Sequence, residues 1–287
     1  MPSAIDLHLH SNASDGALTP GDLVALAHRQ QVRSMALTDH DSVEGLADAR
    51  RAAESLGIRF VLGIELSVSW ERIDVHVVGL GIDPGESTLL RGIAQQQEKR
   101  ETRAIAMGER LARKGFPGAL EGARSLAGEA TVTRTHFARW MVSAGHVSDL
   151  QAAFKRYLRR GKPGYVACDW IPLEEAVEWI RRAGGQAVLA HPLRYPLNQR
   201  KLRRLIDRFT EAGGEGMEVV SGRQPPDQTT LLGQLCDWHG LKGSCGSDFH
   251  SPDQTWLTPG GISPFPRLCP PIWQGWPDID AWMDPAA

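Results

Sequence analysis

No apolar run in the chain approaches the roughly 20 residues that cross a bilayer as a helix, so no membrane-spanning helix is expected. The N-terminus also lacks the basic-then-apolar layout of a secretory leader, and a cytoplasmic location is the expectation. Cysteine is scarce. Cys168, Cys236, Cys245 and Cys269 form no Cys-x-x-Cys pair, which argues against a zinc ribbon or a disulfide framework. No motif supplies an activated Ser or Cys nucleophile. Charge of one sign is lacking too: the balance is −2 over 287 residues, with apolar and charged fractions of 41% and 23%, typical of a globular chain rather than a disordered one.

Divided by region, the charge is not even. From Lys99 to Lys162 there are fourteen Lys or Arg against five Asp or Glu, whereas the remainder has eighteen against twenty-nine. An acidic body with a basic insert suits bound cations in one part and an anionic substrate for the other. The length accommodates one large α/β domain or one domain with an insertion.

Strand and helix patterns alternate at the start and end of the chain. "AIDLHLH", "SMALTDH", "RFVLGIELSVSW" and "IDVHVVGLGI" read as strands. "TPGDLVALAHRQQ", with Thr19 as N-cap and Pro20 at the first helical position, and "SVEGLADARRAAESLG", closed by Gly57, read as helices. After Gly164 strands "QAVLAHP", "GMEVVSG" and "LKGSCGSDFH" alternate with three further helices. Such repetition predicts a parallel sheet, open or closed into a barrel. The long helical pattern from Ser87, with "TRTHFARWMVSAG" and "DLQAAFKRYLRRG", breaks the rhythm. We expect a metal-binding barrel over 1–95 and 165–287, with a helical insertion over 96–164 covering the active site. The Pro- and Trp-rich tail "PFPRLCPPIWQGWPDIDAW" is expected to wrap the body as irregular apolar packing.

The opening "IDLHLHS" carries the chemistry. With a period of two, Asp6, His8 and His10 share one face of a strand while Ile5, Leu7 and Leu9 take the other. His40, Glu65, His191, Asp248 and His250 fall at strand ends, His76 lies in "DVHVV", and Asp15 sits in the first strand-to-helix loop. In parallel α/β folds those ends form the functional rim. A single strand-end His is usually structural, and a lone Asp before a helix is usually a cap. Nine such groups together would be costly to bury uncompensated. Divalent cations remove that cost by neutralising carboxylates and taking imidazole lone pairs. Nine exceed the ligands of one catalytic zinc, so two or three ions sharing ligands are expected. Imidazole and carboxylate without thiolate suit manganese, zinc or iron. His28, His146 and His239 lie away from strand ends and are read as structural.

"DLHLHS", "TDHD", a strand-end Glu, "AHP" and "GSDFH", in this order, resemble the polymerase-and-histidinol-phosphatase (PHP) phosphoesterases over nearly the whole chain. The resemblance implies a distorted seven-stranded (β/α) barrel with a trinuclear site. It assigns His8, His10, Glu65 and Asp248 to one metal, Glu65, His76 and His191 to a second, and Asp15, His40 and His250 to a third. Many members have His where this chain has Asp15, and a carboxylate there retunes the third site. Asp6 and Asp39 would stand behind the ligands and orient their rings. The insert with "TRTHFARWM" is most similar to the 3′,5′-nucleoside bisphosphate phosphatase branch, which is related to a 5′-to-3′ exoribonuclease group.

The expected chemistry is attack of metal-activated hydroxide on a phosphomonoester, with His8, His10, Glu65, His191 and Asp248 as its centre. A second phosphate needs its own anchor. Arg134, Thr135 and His136 open a helix where N–H groups and an Arg fork favour an anion, or else form an ordinary capped end. Arg100, Arg103 and Arg194 are further candidates. The expected partner is a small nucleotide, with short single-stranded RNA tracked by Lys155, Arg156, Arg159, Arg160 and Lys162 as the alternative. No obligate protein partner is evident. An amidohydrolase, which also opens on His-x-His, and a non-catalytic metal-binding barrel are the other readings.

Overall fold

The structure is a computed structural model, and it describes residues 3–277. The chain divides into two compact units, Met1–Gly92 with Ile171–Ala287, and Ile93–Trp170.

The first unit is built on one sheet. Its strands are β1 (Ile5–Asp6), β2 (Ser34–Leu37), β3 (Arg59–Trp70), β4 (Ile73–Leu80), β5 (Ile171–Pro172), β6 (Gln186–Leu189), β7 (Gly216–Ser221) and β8 (Lys242–Gly246). Neighbours run β1-β2-β3-β4-β6-β7-β8, with β5 added to β3. The sheet then closes on itself. Leu7 N donates to Cys245 O, Asp248 N to His8 O and His10 N to Phe249 O, and Leu9 bridges Phe249 in parallel. Seven strands thus form a distorted (β/α) barrel, as expected, with the short β5 outside the ring. Gly246 permits the closure, because a Cβ there would lie 2.2 Å from that of His8.

Two sequence expectations need correction. The sheet is mixed, because β4 is antiparallel to both β3 and β6. The cause is local. Only Glu71 and Arg72 separate β3 from β4, both at positive φ as a tight hairpin turn requires, and two residues cannot make the crossover that a parallel pair needs. The first strand is also short. Regular pairing stops at Asp6, and His8 and His10 lie on the extended segment beyond it.

Helices α1 (Pro20–Arg29), α2 (Leu46–Leu56), α7 (Leu173–Arg182), α8 (Gln199–Glu211) and α9 (Pro226–Trp238) belong to this unit. In α1 the Thr19 side chain accepts from Asp22 N and Pro20 takes the first position. Helix α2 ends on Gly57 at φ 67°. Helix α8 buries Leu202, Leu205, Ile206 and Phe209, the one-sided spacing of an amphipathic helix. The tail packs without regular structure as far as Pro277: Ile272 and Trp273 are buried, and Trp273 meets Phe265 at 5.1 Å between ring centroids. The "DIDAW" of the tail motif lies outside the described residues.

The second unit has its own core. Helix α3 (Ser87–Ala112) enters it, followed by α4 (Ala119–Ala127), α5 (Arg134–Ser143) and α6 (Leu150–Ala153), the last continuing as a π turn over Phe154–Leu158. Met107, Leu111, Ala123, Phe137, Met141 and Leu158 are among the residues of that core. Helices α4 and α5 pack closely at Gly122, where a Cβ would stand 1.9 Å from the Trp140 ring.

Candidate metal centre

All nine ligand-type residues come together at one end of the barrel. His40 lies just beyond β2, His191 just beyond β6, and Asp248 and His250 just beyond β8. Glu65 sits in mid-β3, which runs on past the rim. His76 reaches the same rim because β4 runs the opposite way, so that its fourth residue stands opposite Ser67 of β3. The rim therefore draws on the C-terminal ends of parallel strands and the N-terminal half of an antiparallel one.

One group is His8, His10, Glu65 and Asp248, all buried. His8 Nε2 and His10 Nε2 are 3.0 Å apart. Glu65 Oε2 is 3.2 Å from each, and Asp248 Oδ1 is 3.4 and 3.1 Å from them. A second group joins His40, Glu65 and His76: His40 Nδ1 is 3.0 Å from Glu65 Oε2, and His76 Nδ1 is 2.9 Å from Oε1. His191 Nε2 meets the same Oε1 at 3.0 Å. A third contains His10, Asp15, His40 and His250, with His250 Nε2 at 3.3 Å from Asp15 Oδ1. Glu65, His10 and His40 are each shared between groups.

This donor set fits divalent cations. Donors around one ion at about 2.1 Å stand roughly 3.0–3.4 Å from one another, the spacing of the first group. Glu65 Oε2 and His40 Nδ1 are buried and make no well-aligned hydrogen bond, although they lie 3.0 Å apart. Such atoms aim at a common point rather than at each other.

Without metal the charges balance internally. Burial would raise the Glu65 pKa, yet the fields of His40, His8 and His76 hold it well below the carboxylate range. Burial likewise opposes ionisation of Asp248 and Asp15; Arg194 and His8 outweigh it for the first, His250 and His40 for the second, so both are held low. Burial disfavours a charged His10, but the close carboxylates of Asp248 and Glu65 lift it to about 10. His8 is raised well above its usual value against burial by Glu65, Glu218 and Asp248. Burial dominates at His40, pushed down to about 4, and it lowers His191. Two cationic imidazoles thus stand where a divalent ion could supply the positive charge.

The residues behind the ligands differ from those expected. Asp6 accepts from the backbone of Ser247 and Gly260 at 2.8 and 2.7 Å, and Asp39 takes the Ser11 and Ser14 hydroxyls at 2.6 Å. Both tie rim loops together rather than holding a histidine ring. Glu218 of β7 does that: Oε1 is 2.5 Å from His8 Nδ1, and Oε2 accepts from His191 N at 2.7 Å. The second bond supports a strained backbone, since His191 sits at φ 29°. Tyr195 helps as well, accepting from His76 N and donating to Ala190 O. Sequence reading passed over Glu218, although a carboxylate within the apolar "GMEVV" is the same signal that singled out Glu65.

The candidate anion anchors are placed as follows. Arg194 pairs with Asp248 Oδ2, at the rim itself. The Arg134-Thr135-His136 trio opens α5, but Thr133 accepts from Thr135 N and His136 Nδ1 accepts from Thr133 N, a capping box that uses up part of this helix end. Arg103 donates to Val166 O at 2.9 Å, and Arg100 lies 5.0 Å over the Trp170 ring.

Residues 6–185 match the model of the PHP domain. The chain belongs to the PHP family. A 3′,5′-nucleoside bisphosphate phosphatase of Chromobacterium violaceum is 46% identical over 271 residues, 94% of this chain and 95% of that protein. The 5′-3′ exoribonuclease Rnm of Escherichia coli is 43% identical over 94% of this chain and 93% of its own length. Among solved structures, an amidohydrolase from Chromobacterium violaceum, with bound sulfate and no metal, superposes with a TM-score of 0.91 at 46% identity, covering 95% of both chains. A metal-dependent phosphoesterase assignment accompanies a Bifidobacterium adolescentis structure with a TM-score of 0.78 at 29% identity, over 87% of this chain and 89% of that one. The PHP chain described here is an enzyme of the phosphoesterase kind. No helix among its described residues is long and apolar enough to cross a membrane.

Proposed function

We propose that this PHP protein removes the 3′-phosphate from nucleoside 3′,5′-bisphosphates, leaving the 5′-nucleotide, with manganese as the working ion. The observation that carries the reading is the overlap of three ligand groups through Glu65, His10 and His40, beside the similarity to a phosphatase of that specificity. When bound, two or three divalent ions supply Lewis acidity toward the phosphate and toward water. The chain's own part is to hold donors and exclude alternatives. Glu218 fixes the His8 ring so that Nε2 faces the cluster, and Arg194 holds one oxygen of Asp248 so that the other faces His8 and His10. A covalent route through the nearby thiol is disfavoured, because burial, with Asp6 and Glu218, keeps Cys245 protonated.

A panel of adenosine 3′,5′-bisphosphate, adenosine 3′- and 5′-monophosphates, short RNA and cyclic amides, run with manganese, zinc and iron, tests this. Phosphate release fastest from the bisphosphate with manganese is the expected result. Turnover of amides instead would replace the reading with an amidohydrolase. A second reading, stepwise removal of nucleotides from short RNA, draws on the exoribonuclease relative and on Lys155, Arg156, Arg159, Arg160 and Lys162, all exposed around the π turn. Strong salt dependence on RNA with weak dependence on the mononucleotide would favour it.

A further inference from the structure

The tail is pressed onto helix α9 and strand β8 at two glycines. A Cβ on Gly233 of α9 would stand 3.0 Å from Leu268 Cβ and 3.4 Å from Pro266 Cγ, and one on Gly243 of β8 would stand 2.8 Å from Cys269 Sγ. The backbone is pinned at the same place. Gly243 N donates to Pro270 O, and Gly243 O accepts from Ile272 N, both at 2.7 Å. Cys236 lies three residues after Gly233, on the same face of α9, and Cys269 follows Leu268. The two thiols therefore meet where helix, strand and tail converge, and they share a hydrogen bond. Cys236 is fully buried, whereas Cys269 keeps 8% of its surface exposed. On its other side Cys236 Sγ lies 3.2 Å from Leu241 O.

The pair is chemically unequal. A lone buried thiol stays protonated and inert, as Cys245 of β8 does. At Cys269 the hydrogen bond from Cys236 outweighs burial and holds the thiol below its usual value, while the same bond, with burial, pushes Cys236 up. Cys269, which also has the residual exposure, is the side of the pair that carries thiolate, and Cys236 keeps its proton. Cys168 belongs to the other unit.

We propose that Cys236 and Cys269 are a redox-sensitive pair, which hydrogen peroxide converts to a disulfide that staples the tail to α9. The Cys269 thiolate attacks one peroxide oxygen, the O–O bond breaks, and hydroxide leaves, so that Cys269 becomes a sulfenic acid. Cys236 sulfur then attacks Cys269 sulfur, the S–O bond breaks, and the hydroxyl departs with the Cys236 proton as water. The two sulfurs together give up two electrons, which reduce the peroxide to hydroxide and water. The loop closed in this way contains β8, Asp248 and His250, so the crosslink restrains the chain that carries two of the rim ligands. The inference is independent of which phosphate ester the protein hydrolyses.

The test treats purified protein with hydrogen peroxide, alkylates it without reductant after unfolding, and reads intact mass and peptide maps. The expected product has lost two hydrogens, carries a Cys236–Cys269 linkage, and leaves Cys168 and Cys245 to be alkylated. Its Tm should rise by about 5–10 °C and return to the starting value with dithiothreitol. In Cys236→Ser the reaction should stop at a Cys269 sulfenic acid, captured by dimedone, with no rise in Tm. Alkylation of all four cysteines after peroxide, a linkage through Cys168 or Cys245, or a linkage that leaves Tm unchanged overturns the proposal. The linkage in the unsubstituted protein decides the matter even if the variant does not fold.

Discussion

The barrel rim and the helical unit both concentrate ionisable groups, but they treat them in opposite ways. At the rim, His8, His10, Asp15, Glu65, Asp248 and Glu218 are buried, and each works against the cost of desolvation through close partners. In the helical unit most of the positive excess stays on the surface. Lys155, Arg156, Arg159 and Lys162 are exposed, while the buried exceptions, Arg100 and Arg103, lie over Trp170. Burying charge is costly, so a dense buried set argues for a bound ion; surface charge costs little and argues only for a field. The rim is therefore where chemistry should fail when a single side chain is changed.

Five outcomes would sharpen or break that contrast, from the largest effect down. Replacing His191 with Ala should abolish hydrolysis beyond the roughly 10- to 100-fold typical of groups behind metal ligands, with metal content falling in parallel by elemental analysis. Glu218→Gln, which keeps the shape but weakens the hold on His8, should cost about 10- to 100-fold in metal affinity or turnover. Normal affinity in that variant would remove Glu218 from the account.

The third outcome concerns pH. His8 and His10 have raised pKa values without metal, His10 at about 10, so their ion pairs stabilise the metal-free protein fully below the ordinary histidine value. That contribution is lost for His10 as pH rises through about 10. Entering ions must displace those protons, whereas His40, neutral above about 4, releases none. The gap in Tm between manganese-loaded and chelated protein should therefore widen from about pH 6 to about pH 8. A gap that narrows would mean protons are not being displaced.

The smallest effects belong to the helical unit. Gly122→Ala should destabilise it by about 1–3 kcal/mol, because the added methyl meets Trp140. Lys155→Ser with Arg156→Ser should shift stability by no more than about 0.5 kcal/mol per residue, and should lower the salt slope only if RNA is a substrate. Denaturant melts and binding titrations at several salt concentrations read both.

Much of the rim was legible because ligand chemistry uses few residue types. His and carboxylate beside strand ends are conspicuous in the linear chain, and all nine lie together in space. Glu218 carries the same signal as Glu65, a carboxylate in an apolar strand, but that it faces His8 follows only from the closure of the barrel. Asp6 drew attention by sharing the period of His8 and His10, yet its oxygens go to backbone N–H groups 241 and 254 residues away.

What the sequence determined by itself was the inventory: which segments form strands and helices, where caps close them, and which side chains can bind a cation. Those properties follow from local periodicity and from the chemistry of single residues. Tertiary structure alone decided the reversal of β4, the closure of β1 against β8, the sharing of Glu65 among its imidazoles and the pairing of Glu218 with His8. Each depends on backbone register between segments far apart in the chain, and register is fixed when the barrel closes.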